Sequence, residues 1–211
     1  MAKTKTPATT SHADQPAAAK KAKNAVHKVA RADRRTTHRA ARLRDTPVMK
    51  VVAALAEAAD QPPLIAASLG TLAIGLVARR RDVAHGGARM LASHLLATAA
   101  KLAIKHRFDR TRPRAAIEGD GHHFRRGDQG GHDEKSFPSG HTAGAVAVAL
   151  AVSRDIDGAA LPATLAAGAV AAAQPAAGNH YFSDVIAGAA IGWASEALVS
   201  AVFDRLEAKA T

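Results

Sequence analysis

Residues 62–78 read PPLIAASLGTLAIGLVA, an apolar run without a single charge, and Arg79, Arg80 and Arg81 follow it directly. The run lacks the period-two alternation of a half-buried strand, so a helix is the better prediction. An uncharged helix that ends in arginines is typical of a membrane span meeting a cytoplasmic surface. This stretch therefore predicts a helical membrane protein.

Similar apolar segments occupy much of the remaining chain, with short polar or glycine-containing breaks between them. The chain is 47% hydrophobic but only 3% aromatic, and much of the apolar fraction is alanine, a strong helix former. We predict an all-α, six-helix transmembrane bundle, with helices at residues 47–60, 62–78, 83–104, 142–153, 159–173 and 184–204. A long polar loop, residues 105–138, separates helices 3 and 4. Several segments are shorter than the ~20 residues that a bilayer crossing prefers, so an alanine-rich soluble core is the alternative.

Residues 1–46 differ in composition from residues 47–211, which form the predicted membrane domain. The first segment mixes Ala, Thr, Lys and Arg with almost no bulky apolar side chains, and it contributes much of the net charge of +11. It cannot bury enough surface to offset its ordering entropy, so we predict a disordered or transiently helical basic tail. Such a tail could contact anionic lipid or nucleic acid. The absence of cysteine excludes disulfides and thiol chemistry.

The distribution of charge predicts how the chain lies in a membrane. With the tail in the cytoplasm and six crossings, residues 79–81 return to the cytoplasm, and both the long loop and residues 174–183 lie outside. We therefore expect a multi-pass protein of the cell inner membrane with its chemically interesting residues on the outer face. The long loop is rich in arginine, which the charge rule alone would place inside. Anion binding would explain that exception.

Two polar clusters carry residues suited to holding a phosphate: KHRFDRTRP at residues 105–113 and SFPSGH at residues 136–141. Lys105 supplies a point charge, and the Arg112 guanidinium can hold two phosphate oxygens at once. Ser139 and Gly140 precede an apolar run, which puts them at a helix N-terminus where free amides face an anion.

Two histidines supply the reactive groups. His141, which ends the second cluster, can deliver a proton near neutral pH, as a departing alkoxide requires. A third cluster, NHYFSD at residues 179–184, separates His180 from Asp184 by four positions. If the chain turns helically there, the carboxylate can accept a hydrogen bond from one ring nitrogen and leave the other nucleophilic.

In this order and spacing the clusters resemble the signature blocks of the type 2 phosphatidic acid phosphatase and vanadium haloperoxidase superfamily, in its membrane lipid phosphatase branch. The resemblance covers residues 47–204 and implies an acid-phosphatase-like, metal-independent hydrolase without a cofactor. It implies His180 as nucleophile, Asp184 as its partner and His141 as general acid. Phosphate ligands would be Lys105, Arg112, Ser139, Gly140 and the residue at position 174.

The third block departs from the family pattern at its start. The family has Ser-Arg where this chain has Ala173 and Gln174, so Gln174 offers a neutral hydrogen-bond donor in place of a cation. Loss of such a ligand costs about 2–4 kcal/mol of transition-state stabilisation. Loop arginines could substitute for it: Arg110, Arg114, Arg125 and Arg126.

Three functions stay open. The first is hydrolysis of a lipid phosphate or diphosphate whose tail remains in the membrane. The second is a vanadium-dependent haloperoxidase. The third is an impaired or non-catalytic family member that acts at a membrane or on nucleic acid. Three loop histidines could suggest a metal site, but intervening glycines and charges favour a solvated loop: His122, His123 and His132.

Overall fold

A computed structural model describes residues 14–119 and 121–210, and it is mostly helical. Its helices are α1 (Asp14–Ala40), α2 (Pro47–Ala56), α3 (Gln61–Val77), α4 (Arg81–Lys105), α5 (Pro113–Glu118), α6 (Gly140–Asp155), α7 (Ala160–Ala176) and α8 (Phe182–Ala210). Two three-residue strands, β1 (Phe108–Arg110) and β2 (Phe124–Arg126), pair antiparallel. Short 3₁₀ turns occupy Ala41–Leu43, Glu57–Ala59 and His132–Glu134.

Five of these helices, α3, α4, α6, α7 and α8, form a bundle around α6. Its core consists largely of alanine, so the backbones approach closely. A Cβ atom added to Gly87 of α4 would lie 2.2 Å from the backbone nitrogen of Leu72 in α3. Only glycine permits that approach. The close contact explains why α3, an uncharged helix with few large side chains, still packs tightly against α4.

The five helices run between two ends of the bundle. We call the end that carries Asp60, Lys105, Gly140 and residues 177–181 the site end. The opposite end, with residues 78–80 and Asp155, is the distal end. The antiparallel register of α4 and α6 shows the arrangement: Gly86 faces Ile156 at the distal end, and Gly140 faces Lys101 at the site end.

The counterpart of the first predicted helix does not cross the bundle, so the predicted bundle of six transmembrane helices is not confirmed. Its counterpart α2 has ten residues, a length of about 15 Å, half the thickness of a bilayer core. The chain also touches the site end on both sides of α2. Thr37 accepts a hydrogen bond from the Phe182 backbone N–H at 3.3 Å, and Glu57 lies 3.8 Å from His141. The segment between them leaves and returns to the same end.

The described part of the predicted tail is more ordered than the disordered or transiently helical segment that we expected. Residues 14–40 form α1, and residues 1–13 lie outside the described residues. Alanine, lysine and arginine are good helix formers, and the composition argument neglected that preference. A stripe that includes Asp33, Thr37 and Ala41 packs against α5, α7 and α8, which supplies the burial that the isolated segment lacks.

Because α1 packs at the site end, it does not lie across the bundle from the site, as the predicted topology assumed. Two bundle helices, α3 and α4, separate this N-terminal segment from Lys105, whereas the prediction placed three helices between the tail and the long loop. The remaining helices match their predicted positions to within a few residues, apart from the last, which extends six residues beyond residue 204 to Ala210.

Among the described helices, α8 is the one long and apolar enough to span a membrane, over Phe182–Lys209, and α3 is a shorter apolar helix. The six predicted crossings are therefore not confirmed by length and composition. The long loop holds more structure than we predicted, because β1, β2 and α5 all lie within it. Phe108, Phe124 and Phe137 pack together there, with ring centroids 5.5 to 6.2 Å apart, and anchor the loop over the bundle.

Candidate active site

The fold brings all eight predicted site residues to the site end. Lys105 is the last residue of α4, and Arg112 precedes α5. The second cluster opens α6, with Ser139 as its N-cap. Gln174 lies near the end of α7, His180 in the turn after it, and Asp184 in the first turn of α8. Helix ends thus supply the whole site.

His180 is buried, with 2% of its surface exposed, and its orientation is set by the backbone. Its Nδ1 lies 2.6 Å from the carbonyl oxygen of Ser136. A carbonyl can only accept, so Nδ1 carries the proton and Nε2 keeps its lone pair. Burial, with Arg112 and Lys105 nearby, holds the pKa of His180 well below 6.5. The ring is therefore a neutral imidazole with one nucleophilic nitrogen.

Asp184 does not make the hydrogen bond to His180 that the spacing predicts, because its Oδ2 is 3.9 Å from Nδ1. The carboxylate is fully buried and has other partners. It accepts from Arg110 Nη1 and Ser136 Oγ, both at 2.5 Å, and from the Tyr181 backbone N–H at 2.8 Å. Asp184 thus holds the Ser136 segment and the turn on both sides of the imidazole. It positions the nucleophile through its neighbours.

Arg110 extends this network to α1. Its Nη2 donates to Asp33 at 2.9 Å, its Nη1 donates to Ser183 Oγ at 2.7 Å, and its guanidinium stacks 4.0 Å from the Tyr181 ring centroid. Asp33 also accepts from the backbone and hydroxyl of Ser183. Arg110 lies between two carboxylates, so it cannot replace the cation missing at position 174. The sequence offered no signal for Asp33, which contacts residues about 150 positions away.

Lys105 and Arg112 are both held by backbone carbonyls. Lys105 Nζ donates to the carbonyl of Lys135 at 2.8 Å. Arg112 donates through Nε to the carbonyl of His132 at 3.0 Å and through Nη1 to that of Asn179 at 3.5 Å. Within the described residues, neither side chain forms an ion pair with a carboxylate. Their charge is oriented but not neutralised, as an anion site requires.

The start of α6 forms the anion-facing surface. Ser139 Oγ accepts from the backbone N–H of Thr142 at 3.4 Å, so this hydroxyl caps the helix, and the Ser139 N–H donates to the Asp184 carbonyl at 3.1 Å. The next amides, those of Gly140 and His141, are left at the helix N-terminus. A methyl group on Gly140 would lie 2.9 Å from Lys101 Nζ, which makes Lys101 a third nearby cation. Lys101 precedes Lys105 by one helical turn, and that spacing could have revealed it.

His141 faces two carboxylates. Its Nε2 lies 3.8 Å from Glu57 and 4.0 Å from Asp60. Both carboxylates lie close enough to stabilise the ring electrostatically when it carries a proton. Ligand atoms of Glu57, Asp60 and His141 all lie within 4.8 Å of one another, a spacing that exposed acidic groups often show without any ion.

A family model described as the PAP2 superfamily matches residues 86–207. That region covers more than half of the chain and contains all eight site residues predicted from the sequence. The chain belongs to the PAP2 superfamily. This finding confirms the resemblance drawn from the three sequence clusters.

Two solved structures are similar to this chain. LpxE from Aquifex aeolicus is 21% identical, with a TM-score of 0.59, over 78% of this chain and 92% of that one. The transmembrane PAP2 type phosphatidylglycerolphosphate phosphatase from Bacillus subtilis is 20% identical, with a TM-score of 0.57, over 84% of this chain and 87% of that one. These likenesses show a shared fold. No match was found among curated proteins.

Gln174 occupies the position where the PAP2 pattern read from the sequence has arginine. It is buried, and its Nε2 donates to the carbonyl of Val170 at 3.4 Å. Its Oε1 has no hydrogen-bond partner among the described residues. The Gln174 carbonyl accepts from the N–H groups of Asn179 and His180, so its backbone shapes the nucleophile turn. The side chain contributes no charge to the PAP2 site.

The three loop histidines do not form a metal-ligand group in the described part of the chain. His122 contacts Arg34, His123 contacts Thr111 and Glu134, and His132 contacts Arg112. His122 and His123 lie beside the β1–β2 ladder, and His132 supports a phosphate-ligand candidate through its backbone. These contacts give the three histidines structural roles in the loop.

An apolar cavity of about 420 Å³ lies between α2, α3, α6 and α7. Nearest the site it is lined by Ala59, which precedes Asp60, and by Ala145, one helical turn after His141. Leu64, Val148 and Val170 line it deeper in the bundle. The cavity is lined almost wholly by aliphatic side chains. Sequence reasoning missed it because it depends on how four helices pack.

Proposed function

We propose that this PAP2 protein is a multi-pass membrane phosphatase that hydrolyses a lipid phosphate or diphosphate through a phosphohistidine, without a metal. The observation that carries the proposal is the pairing of a cationic helix-end site with an apolar cavity whose lining begins one helical turn from His141, at Ala145. A phosphate at the first and an alkyl chain in the second describe a lipid phosphate. The fold shared with LpxE and with a phosphatidylglycerolphosphate phosphatase supports the same substrate class.

The first chemical step uses His180 Nε2 as the nucleophile on phosphorus. The new P–N bond forms as the bond from phosphorus to the lipid oxygen breaks, and His141 gives its proton to that oxygen. Asp184 favours the positive charge that the phosphorylated imidazole carries. The proton stays on Nδ1 throughout and is donated in a hydrogen bond to the Ser136 carbonyl oxygen, which keeps the ring in one orientation.

The second step returns the enzyme to its starting state. Water attacks phosphorus, the neutral His141 takes its proton, the P–N bond breaks, and inorganic phosphate leaves. Lys105, Arg112, Lys101 and the Gly140 amide stabilise the phosphoryl oxygens in both steps, and Ser139 supports the helix start that presents them. Gln174 adds a neutral donor at most.

Phosphate release by detergent-purified protein tests this function, with phosphatidic acid, phosphatidylglycerophosphate and undecaprenyl diphosphate as substrates in EDTA. We expect release from at least one lipid, and its loss in His180→Ala. His85→Ala, at an exposed histidine of the distal end, is the matched control and should retain activity. Activity that survives His180→Ala in a clean preparation would contradict the nucleophile assignment.

The Gln174 side chain favours a second candidate, an impaired family member. Its neutral, partly unsatisfied amide replaces a phosphate-binding cation. Gln174→Arg in the same assay decides between the two. Activity only in Gln174→Arg would identify an impaired phosphatase, and silence from both proteins would favour a non-catalytic membrane protein.

A further inference from the structure

Two long helices, α6 and α8, begin at the site end, and their first backbone amides have different partners. Those of α6 are left for a phosphate. At the start of α8, the Phe182 N–H donates to Thr37 Oγ1 at 3.3 Å. The Ser183 N–H donates to Asp33 Oδ1 at 3.1 Å. Asp33 and Thr37 both belong to α1, so side chains 150 and 145 positions earlier in the chain cap α8, a task that a local N-cap residue normally performs.

The Asp33 carboxylate lies in a pocket made of hydrogen-bond donors. Besides the Ser183 N–H, it accepts from the Ser183 hydroxyl and from Arg110 Nη2, the latter at 2.9 Å. Only 9% of the Asp33 side chain is exposed. A buried guanidinium, a hydroxyl and a helix N-terminal amide are the donors that an anion site uses. The pocket therefore has the chemistry of a second anion site, and α1 supplies its ligand.

The charges around this pocket favour a carboxylate over a phosphate. Arg110 also pairs with the buried Asp184, so one guanidinium already lies between two carboxylates. A phosphate dianion in place of Asp33 would bring three negative charges to that single buried cation, which is unfavourable. The two oxygens of a carboxylate match the donors, with Oδ1 on the Ser183 amide and Oδ2 on the Ser183 hydroxyl and Arg110. The phosphate of a substrate is thus left to the start of α6.

The pocket is linked to the nucleophile by a series of buried hydrogen bonds. Asp33 holds Arg110, and Arg110 Nη1 donates to Asp184 Oδ1. Asp184 Oδ2 accepts from the Ser136 hydroxyl, and the Ser136 carbonyl fixes the His180 ring. Asp33 therefore acts on His180 through other residues, as a positioning residue.

From these contacts we propose that α1 is part of the active site. Its Asp33 carboxylate is the built-in ligand of a carboxylate site formed by Arg110, Ser183 and the start of α8, and occupation of that site fixes the nucleophile turn. With the Asp33 carboxylate removed, the same site takes a free small carboxylate such as formate. The effect on turnover rests on the proposed phosphatase function, whereas binding of formate does not depend on it.

Thermal unfolding of the full chain in detergent tests the carboxylate site without turnover. Asp33→Ala removes the carboxylate, leaves room for formate and keeps a good helix former in α1. We expect formate to raise the unfolding midpoint of Asp33→Ala saturably, compared with chloride at the same ionic strength. Acetate should do less, because its methyl group would overlap the new side chain. Asp33→Gly removes the whole side chain and repeats the test with acetate as the matching ligand.

Two variants serve as controls for this measurement. Asp45→Ala removes an exposed carboxylate outside the pocket. Thr37→Val weakens the cap of α8 but leaves the pocket filled by Asp33. Neither variant should respond to formate more than the wild type does. A rise of equal size in all these proteins, or the absence of any rise in both Asp33→Ala and Asp33→Gly, would overturn the carboxylate site.

Phosphate release by the same proteins tests positioning. Asp33→Ala should lower kcat by about 10- to 100-fold with KM little changed, and formate should restore part of the loss over the range that raises its unfolding midpoint. Formate should not change the activity of Asp45→Ala. Stabilisation by formate without recovery of kcat, or a change in KM alone, would refute the positioning role. A thermal response in Asp33→Ala alongside a wild type without turnover would support the carboxylate site and contradict only the proposed phosphatase.

Discussion

Arg89 at the distal end and Arg112 at the site end are both buried arginines, exposed by 3% and 9%, but their partners differ. Arg89 donates to Asp155 at 2.8 Å and to Ser200 at 2.9 Å, and Asp204 lies within 3.4 Å. Arg112 has the carbonyls of His132 and Asn179. Carboxylates neutralise the first guanidinium, whereas carbonyls only orient the second.

This difference separates a structural cation from a ligand-binding one. A carboxylate partner satisfies both the geometry and the charge of an arginine, so nothing is left for a ligand. Carbonyl partners satisfy the hydrogen-bonding geometry of an arginine but leave its positive charge available to a ligand. Lys105 follows the same pattern as Arg112, and Arg110 follows that of Arg89 although it lies beside the nucleophile. Proximity to the site is thus a poorer guide than the identity of the partner.

The largest expected effect is on stability, at the distal end. Arg89→Ala leaves the buried Asp155 carboxylate without its main partner and should lower the free energy of unfolding by about 3–5 kcal/mol. Denaturant unfolding in detergent measures it, with the exposed Arg81→Ala as control. Equal stability of the two variants would show that the distal network contributes nothing.

At the site end the expected loss is in activity. Arg112→Ala should lower kcat/KM by a factor of about 10² to 10³, or about 2.7–4 kcal/mol, because it removes an oriented charge from the transition state. Its unfolding should change far less than that of Arg89→Ala. Steady-state kinetics measure the loss, with Arg126→Ala, at an exposed arginine, as the control. Equal losses of kcat/KM in Arg112→Ala and Arg126→Ala would contradict the distinction between ligand-binding and structural arginines.

A smaller effect tests whether α1 positions the site. Asp33→Asn removes one of the two carboxylates that hold Arg110, and should lower kcat by about tenfold, or roughly 1.5 kcal/mol, with KM little changed. Asp33→Glu should restore part of the loss. Asp45→Asn, at an exposed carboxylate, is the control. A change in KM alone would argue against positioning of the nucleophile.

The smallest effect concerns a histidine under α1. Burial, and then the nearby charge of Arg34, lower the pKa of His122 to about 4. Removing that charge in Arg34→Gln relieves part of the penalty on the protonated ring, so the pKa of His122 should rise but stay below 6.5 because burial is the larger cause. Proton NMR titration of the ring measures it, with Arg35→Gln as control. An unchanged pKa would mean that Arg34 does not lie against His122 in solution.

The sequence predicts those parts of the site that lie in contiguous motifs. His141, His180, Lys105 and Arg112 each belong to a cluster of fewer than ten residues, and helix ends bring those clusters together. The partner of His180 could not be predicted, since the carbonyl of Ser136 becomes available only through the packing of α6 on α8. The four-residue spacing to Asp184 suggested a hydrogen bond that the local turn does not make.

The errors in the fold have one source. Composition marked residues 1–46 as unable to bury surface alone, but α1 buries its stripe against elements that follow it by up to 150 positions. The predicted six-crossing topology counted the amphipathic residues 47–60 as a crossing helix, although both flanks of α2 contact the site end. Each error follows from judging a segment without its tertiary partners. The alanine-rich helices of the bundle were predicted correctly because their pattern is local.

The carbonyl that orients His180 belongs to the main chain, and every amino acid at position 136 would supply the same acceptor. The tautomer of the nucleophile is thus insulated from point mutation, whereas the phosphate ligands are side chains that a single codon change can replace. In the evolution of such enzymes, substitutions would weaken phosphate binding before they changed the orientation of the nucleophile. A chain with glutamine at position 174 and an intact imidazole anchor has the form that such a history would leave, and it would need only one substitution to recover.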